Sequence, residues 1–236
     1  MKEYVKIAGW CNGSTPHFGC GNVGSNPTPA AKIDLLMNNK EIRKLTSFLF
    51  EIGNLRKVIR SHQQLLLSYD LSDTIASHTF RVSMISYFLA KELGADENKA
   101  LKMALIHDVE ETRSMDHHWV SKKYVKVFED EIRQAQFKEL PYTDEFKKLS
   151  EEYYKKESLE AKIVKDADLL DEIFLLCEYA WQGNKEAMKW LKIGKREENI
   201  YERMLFTNIA KEIAKEVKKQ PPSLWWQNIW TPYRRK

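Results

Sequence analysis

The sequence has few of the residues that crosslink or interrupt a fold. Its 236 residues include three cysteines, Cys11, Cys20 and Cys177, which exclude a framework of several disulfide bonds. Glycine and proline are scarce after residue 36, which argues against a loop-rich or all-β fold. There is no run of 18 apolar residues and no basic-then-apolar leader, so we expect a cytoplasmic protein that has no membrane partner.

Excess charge of either sign is also small. The net charge is +4, and acidic and basic residues are mixed along the chain apart from the short basic end Arg234–Lys236. A balance this weak gives no electrostatic reason to expect a stable nucleic-acid partner.

The first thirty residues differ in composition from the rest, because they hold 5 of the 9 glycines, 3 of the 7 prolines and 2 of the 3 cysteines. The spacing of Cys11, His17 and Cys20 fits no common zinc pattern. Residues 24–27, Gly-Ser-Asn-Pro, back-translate to a sequence that resembles the T arm of a transfer-RNA gene. We therefore interpret residues 1–36 as a non-native or disordered N-terminal extension, with the natural start at Met37. The alternative is a genuine flexible arm.

From residue 38 onward, apolar residues recur at helical spacing and cap residues mark the ends. Predicted helices begin at Asn38 or Asn39, near Ile75, after Asp96, at Val120, near Thr143, at Ser158 and at Glu198. The second of them stops at Gly94, the one from Val120 ends at Ala135, and the last runs from Glu198 to about Lys218. No segment alternates as a strand would. The prediction is an all-α fold, a single bundle of six to eight helices over residues 37–220.

Residues 221–236 form an aromatic and basic C-terminal tail that contains Trp225, Trp226 and Trp230. An aromatic stripe of this kind is more typical of core packing or a dimer contact than of a ligand platform. We expect a homodimer.

The residues most indicative of chemistry are a histidine, a His-Asp pair and a lone aspartate, in that order: His78, His107-Asp108 and Asp168. The His-Asp pair ends an apolar helical run, and burial of two ionisable side chains costs several kcal/mol, by rough estimate, unless something compensates. Imidazole nitrogens and carboxylate oxygens are ligands that divalent transition metals accept. The pattern therefore predicts a metal site built across three helices.

Glu111 is four residues after His107 and three after Asp108, so a continuing helix would place it one turn along on the same side. It could contact a water molecule beside the ion rather than the ion itself. Asp168 faces the apolar side of a long predicted helix, where an aspartate needs a partner.

The segments Ser77–Arg81, Ile106–Glu111 and Val164–Asp168 together resemble the HD-domain metal-dependent phosphohydrolase superfamily. Three details resemble its 5′-deoxynucleotidase branch. They are the segment Gly53–Arg60, the glutamate four residues after His107, and Asp116. The resemblance covers roughly residues 40–200 and implies an HD-domain helical bundle.

The resemblance also implies roles. The metal ligands would be His78, His107, Asp108 and Asp168, and they would hold one divalent transition-metal ion (Mn, Co, Fe, Ni or Zn). Glu111 would activate the attacking water and assist the leaving oxygen, Asp116 would contact the sugar or support the water, and Arg60 would hold the 5′-phosphate. The family usually has an aromatic residue just after that arginine, where this chain has Ser61-His62.

The expected function is removal of the 5′-phosphate from (deoxy)nucleoside monophosphates by a metal-activated water. Two alternatives stay open: an HD hydrolase for nucleoside triphosphates or phosphodiesters, and a degenerate, non-enzymatic HD module. His117 and His118 could be ligands of a second ion, although a loop or helix-start role fits them better. We expect His62 and His17 to be structural or exposed.

Overall fold

The secondary structure of the described residues is mostly helical, which confirms the fold class predicted from the sequence. The structure is a computed structural model, and it describes residues 37–192 and 200–229. Within those ranges no β-strand forms, although Ile59 and Thr74 make an isolated antiparallel bridge. The predictions made for residues 1–36, for the helix start at Glu198, and for Trp230 and Arg234–Lys236 lie outside the described residues.

Eight of the described helices have eight or more residues, in agreement with the predicted six to eight. They are α1 (Asn39–Ile52), α3 (Ile75–Leu93), α4 (Glu97–Ile106), α7 (Glu129–Phe137), α8 (Thr143–Lys155), α9 (Leu159–Trp181), α10 (Lys185–Lys192) and α12 (Asn208–Val217). The shorter helices are α2 (His62–Leu66), α5 (Glu111–Ser114), α6 (Trp119–Lys122) and α11 (Ile200–Met204). Gly53–Lys57 and Leu224–Trp226 form 3-10 turns.

Residues at the predicted ends cap these helices. The Asn38 side chain accepts hydrogen bonds from the first turn of α1, and Glu41 closes the capping box. Asp96 and Ser158 accept in the same way at the starts of α4 and α9. Gly94 ends α3 with φ of 65°, a left-handed conformation that glycine adopts without steric cost.

Helix α9 runs through the centre of the fold. It packs against α3, α4, α8, α10, α11 and α12, and its residues Ile163, Val164, Ala167, Leu170 and Ile173 are fully buried. A helix surrounded by others offers little solvated face. Its polar residues must therefore find partners inside the protein.

The helix predicted from Val120 to Ala135 is two helices in the structure, α6 and α7, separated by Lys123–Phe128. The His118 side chain caps α6 by accepting a hydrogen bond from the N–H of Ser121. Three acidic residues, Glu129–Glu131, occupy the first turn of α7, where they interact favourably with the positive end of the helix dipole. This acidic turn favours a new helix start there.

The last predicted helix, from Glu198 to Lys218, is interrupted between α11 and α12. The buried carboxylate of Asp166 accepts hydrogen bonds from the N–H groups of Phe206 and Thr207 and from the Thr207 hydroxyl. Donors committed to a side chain on α9 cannot continue a helical ladder. A contact 40 residues away in the sequence therefore sets this break.

No helix in the described ranges is long and apolar enough to cross a bilayer. In the C-terminal tail, the Trp225 and Trp226 rings meet edge to face at 4.7 Å, and Trp225 is 73% exposed. Trp225 also borders a groove of about 490 Å³ whose lining includes Phe174 and Val217.

Candidate metal centre and active site

Three helices bring the predicted metal ligands together. His78 lies in the first turn of α3, His107 caps the carboxyl end of α4 with Asp108 directly after it, and Asp168 lies near the middle of α9. These three helices pack on one another. The α4 helix stops at Ile106, so the side chains of the His-Asp pair can turn towards one point beyond its end.

The ligand atoms converge on a small volume. The Nε2 atoms of His78 and His107 are 3.3 Å apart. Asp108 Oδ2 lies 3.0 Å from His107 Nε2 and 3.4 Å from His78 Nε2. Asp168 Oδ1 lies 3.5 Å from His78 Nε2. His78, His107 and Asp168 each offer a ligand atom within 4.8 Å of the others, and Asp108 borders that group through its contacts with both imidazoles.

Each imidazole is oriented by a hydrogen bond on its far side. His107 Nδ1 donates to the carbonyl oxygen of Ala104 at 2.7 Å, and His78 Nδ1 donates to Asp171 Oδ2 at 2.6 Å. A neutral imidazole whose Nδ1 carries the proton has its lone pair on Nε2. With both rings neutral, as metal binding requires, the Nε2 lone pairs face the centre, an arrangement typical of histidine ligands to metals.

The carboxylates make this centre attractive to positive charge. Burial opposes protonation of His78, but Asp108 and Asp171 outweigh it and raise the pKa of this imidazole to about 9. Burial also opposes protonation of His107, and the charge of Asp108 again prevails and raises its pKa. The same field would stabilise a divalent cation at the point that the two Nε2 atoms face.

The donor set fits such a cation. Two buried imidazole nitrogens and two carboxylates suit Mn, Fe, Co, Ni or Zn, and the two negative charges match a divalent ion. Two histidines alone would more often be structural. Here each has a hydrogen-bond partner at Nδ1, and their Nε2 atoms lie 3.3 Å apart and 3.0 to 3.5 Å from carboxylate oxygens.

Glu111 lies beside this group, at the start of α5. Its backbone N–H donates to the carbonyl oxygen of Asp108 at 3.2 Å, and its buried Oε2 has no hydrogen-bond partner among the described residues. Burial, together with the charges of Asp108 and Asp116, raises the pKa of the Glu111 carboxyl well above its usual range. A buried carboxyl with an open oxygen is available to a substrate or a water molecule.

The Asp116 side chain is held by a backbone group of Ser61, the residue just before α2. Its Oδ2 accepts a hydrogen bond of 2.7 Å from the backbone N–H of Ser61. The bond ties the loop after α5 to the residue that follows Arg60. Asp116 therefore lies close to the segment that carries Arg60, and its charge acts on Glu111.

Arg60 is buried and already bound to carboxylates. Its Nη1 donates to Asp171 Oδ2 at 2.7 Å and its Nη2 donates to Glu172 Oε2 at 2.8 Å. The Arg60 side chain is 9% exposed and that of Asp171 is 1% exposed. The guanidinium therefore holds the surroundings of His78 in place, and its contact with a phosphate stays a prediction.

Asp171 is a residue whose role the sequence did not reveal. It accepts hydrogen bonds from His78, Arg60 and Arg81. It lies three residues after Asp168, on the same side of α9. The three-residue spacing indicated that the two aspartates share one side of the helix. It could not tell a buried side from a solvated acidic face. In the structure, both Asp166 and Asp171 are buried.

Lys165 is a second residue that the motifs did not single out. Its Nζ donates to Asp168 Oδ2 at 2.6 Å, and its side chain is 23% exposed. Among the lysines and arginines in the described ranges, Lys165 is the one that forms an ion pair with a predicted metal ligand.

The other described histidines, His62, His117 and His118, lie outside the group of predicted ligands. His117 Nε2 donates to the carbonyl oxygen of Ser114, and His118 caps α6 and bonds to Gln64. His62 is buried, with Nε2 2.8 Å from Asp73 Oδ2. These contacts favour loop and structural roles over a second metal site.

Comparisons with solved structures find proteins with a similar fold. The chain is similar to a conserved hypothetical protein from Pyrococcus furiosus, with 30% identity and a TM-score of 0.56 over 74% of this chain and 99% of that one. A protein from Pyrococcus horikoshii gives 27% identity and a TM-score of 0.57 over 74% and 98%. A predicted metal-dependent phosphohydrolase from Magnetospirillum magnetotacticum shares the fold, with 18% identity and a TM-score of 0.58 over 76% and 92%. No curated protein matches significantly.

The family comparison covers the whole site. The HD domain family matches residues 52–205, more than half of the chain, and this range contains every predicted site residue from Arg60 to Asp168. It confirms the superfamily predicted from the motifs, whereas the 5′-deoxynucleotidase branch stays a prediction. The match shows that the chain belongs to the HD-domain family.

Proposed function

We propose that this chain is a metal-dependent phosphomonoester hydrolase that removes the 5′-phosphate of deoxynucleoside and nucleoside monophosphates. The observation that carries the proposal is the pair of Nε2 atoms 3.3 Å apart, each on an imidazole whose Nδ1 is already bonded. They face two carboxylates, and a buried glutamate with an open oxygen lies beside them. The likeness to a protein described as a predicted metal-dependent phosphohydrolase is consistent with it.

His78, His107, Asp108 and Asp168 would hold the ion. When bound, a divalent cation would lower the pKa of a water molecule and offset the charge of the phosphoryl oxygens. The protein's part is to keep the four side chains oriented. Asp171 and the Ala104 carbonyl do this for the two imidazoles.

Glu111 would move the proton. In the reaction, the water oxygen forms a bond to phosphorus while the ester P–O bond breaks, and the nucleoside oxygen leaves with a proton. The Glu111 carboxylate can accept the proton from the water and return it to the leaving oxygen. Asp116, fixed by the N–H of Ser61, would contact the sugar or support the water.

Phosphate release from a matched set of substrates tests this function. The set should contain the 5′-monophosphate of one base in both sugar series, its triphosphate, and a simple phosphodiester, each assayed with Mn, Co, Fe, Ni and Zn. We expect the monophosphates to give the highest kcat/KM. Deoxynucleotides should lead ribonucleotides by a modest factor, because a site without the aromatic neighbour of Arg60 discriminates a hydroxyl by only ~1–3 kcal/mol.

A clear preference for the triphosphate or the diester would assign the site to another class of HD hydrolase. If none of the substrates were hydrolysed with any of these metals, although the protein had bound the metal, the result would favour a non-enzymatic HD module. The homodimer, the absence of a stable nucleic-acid partner and the cytoplasmic location stay predictions.

A further inference from the structure

A phosphate dianion at this site needs a positive charge that the ligand set does not supply. The carboxylates of Asp108 and Asp168 balance a divalent ion, so a bound dianion would leave the centre negative. Burial of uncompensated charge is costly, and enzymes that bind phosphate use lysine or arginine to offset it.

The nearby arginines are already occupied by acids. Arg60 bonds to Asp171 and Glu172. Arg81 bonds to the same Asp171 and to Glu178. Two guanidinium groups therefore face three carboxylates, and this pair has no surplus of positive charge for a dianion.

Lys165 is placed differently. Its Nζ contacts Asp168 Oδ2, while the other oxygen of that carboxylate, Oδ1, faces His78. The lysine can therefore keep this contact while Asp168 offers Oδ1 to an ion. An ammonium group has three N–H donors, so two are left for another acceptor. The side chain is 23% exposed, which leaves it reachable from solvent.

We propose that Lys165 is a phosphate-binding residue of this site, with its ammonium donating to the phosphoryl oxygens of a substrate held at the ligand set. The inference rests on the proposed function for its substrate class. Arg60 is already bonded to two carboxylates, so Lys165 would offset the charge of the phosphate in its place. Because Lys165 would bind the phosphate that remains after hydrolysis too, its effect can be measured without turnover.

The test measures the affinity of inorganic phosphate for the metal-loaded protein by calorimetry, together with KM and kcat for a monophosphate. We expect Lys165→Gln to weaken phosphate binding about 10- to 100-fold and to raise KM by a similar factor, as for a lost hydrogen bond to a charged group. Metal content and melting temperature should stay near those of the parent. Lys165→Arg should restore most of the affinity.

Lys99→Gln is a matched control. Lys99 also makes an ion pair of 2.6 Å, with Glu152, and its side chain is 32% exposed, but it lies in the first turn of α4, at the opposite end from His107. Its phosphate affinity should equal that of the parent.

Two outcomes would overturn the inference. One is equal phosphate affinity in the parent and Lys165→Gln. The other is a loss of metal from Lys165→Gln with phosphate affinity unchanged once metal is restored, since Lys165 would then only position Asp168. Both can be observed even if the parent cleaves no ester, a result that would reject the proposed function alone.

Discussion

Replacement of Glu111 by glutamine should abolish most turnover while the protein keeps its metal. Glutamine has nearly the same shape but cannot take a proton from water, and loss of a general acid–base group costs about 10²–10⁴-fold in rate. Glu111 lies outside the group of converging ligand atoms, so the metal content should not change. The measurement is kcat per bound metal ion, with the metal content determined on the same sample.

The neighbouring glutamate provides the control. Glu110 is also buried, but its Oε1 is bonded to Arg133 and Tyr154, from which it accepts hydrogen bonds. Glu110→Gln should therefore keep its turnover per metal-loaded molecule, even if it unfolds more easily. Equal turnover in Glu111→Gln and the parent would remove Glu111 from the reaction.

Replacement of Arg60 by methionine should cause a large loss of stability. Asp171 and Glu172 are 1% and 9% exposed at the side chain, and each would lose a bond to the guanidinium. Removing one partner from a buried ion pair costs about 3–5 kcal/mol, because the remaining charge stays desolvated. Urea unfolding should show this difference in the free energy of unfolding.

The exposed Arg56, in the 3-10 turn before Arg60, serves as the comparison. Arg56→Met should change the free energy of unfolding by no more than about 0.5 kcal/mol, as for most surface substitutions. If Arg60→Met were as stable as Arg56→Met, the carboxylates would not depend on this guanidinium. Any activity lost by an Arg60 variant has to be corrected for the unfolded fraction before it is assigned to substrate binding.

Local chemistry made much of the site predictable from the sequence. Cap residues such as Asp96 and Ser158 act on their own helix, and the apolar run before His107 shows where that helix packs. The order of the histidines and aspartates then indicated a shared centre. Each of these signals lies within a few residues of the feature that it predicts.

What the sequence did not reveal depends on contacts between distant segments. Arg60 and Asp171 are 111 residues apart, so their pairing cannot be read from spacing. The same holds for Asp166, whose bonds to Phe206 and Thr207 divide the last predicted helix. Within α9, a three-residue spacing could describe a solvated face or a buried polar row, and only the packing of other helices decides between them.

The most direct test of the account is the metal content of the purified protein and of variants at the ligand positions. Elemental analysis should find about one transition-metal ion per chain in the parent, and metal near background in His107→Ala and Asp168→Ala, because each loses a donor from a four-residue set. Asp144→Ala, an exposed change on α8, should keep the parent's content. Full metal occupancy in both His107→Ala and Asp168→Ala would contradict the central claim that these side chains form a metal centre.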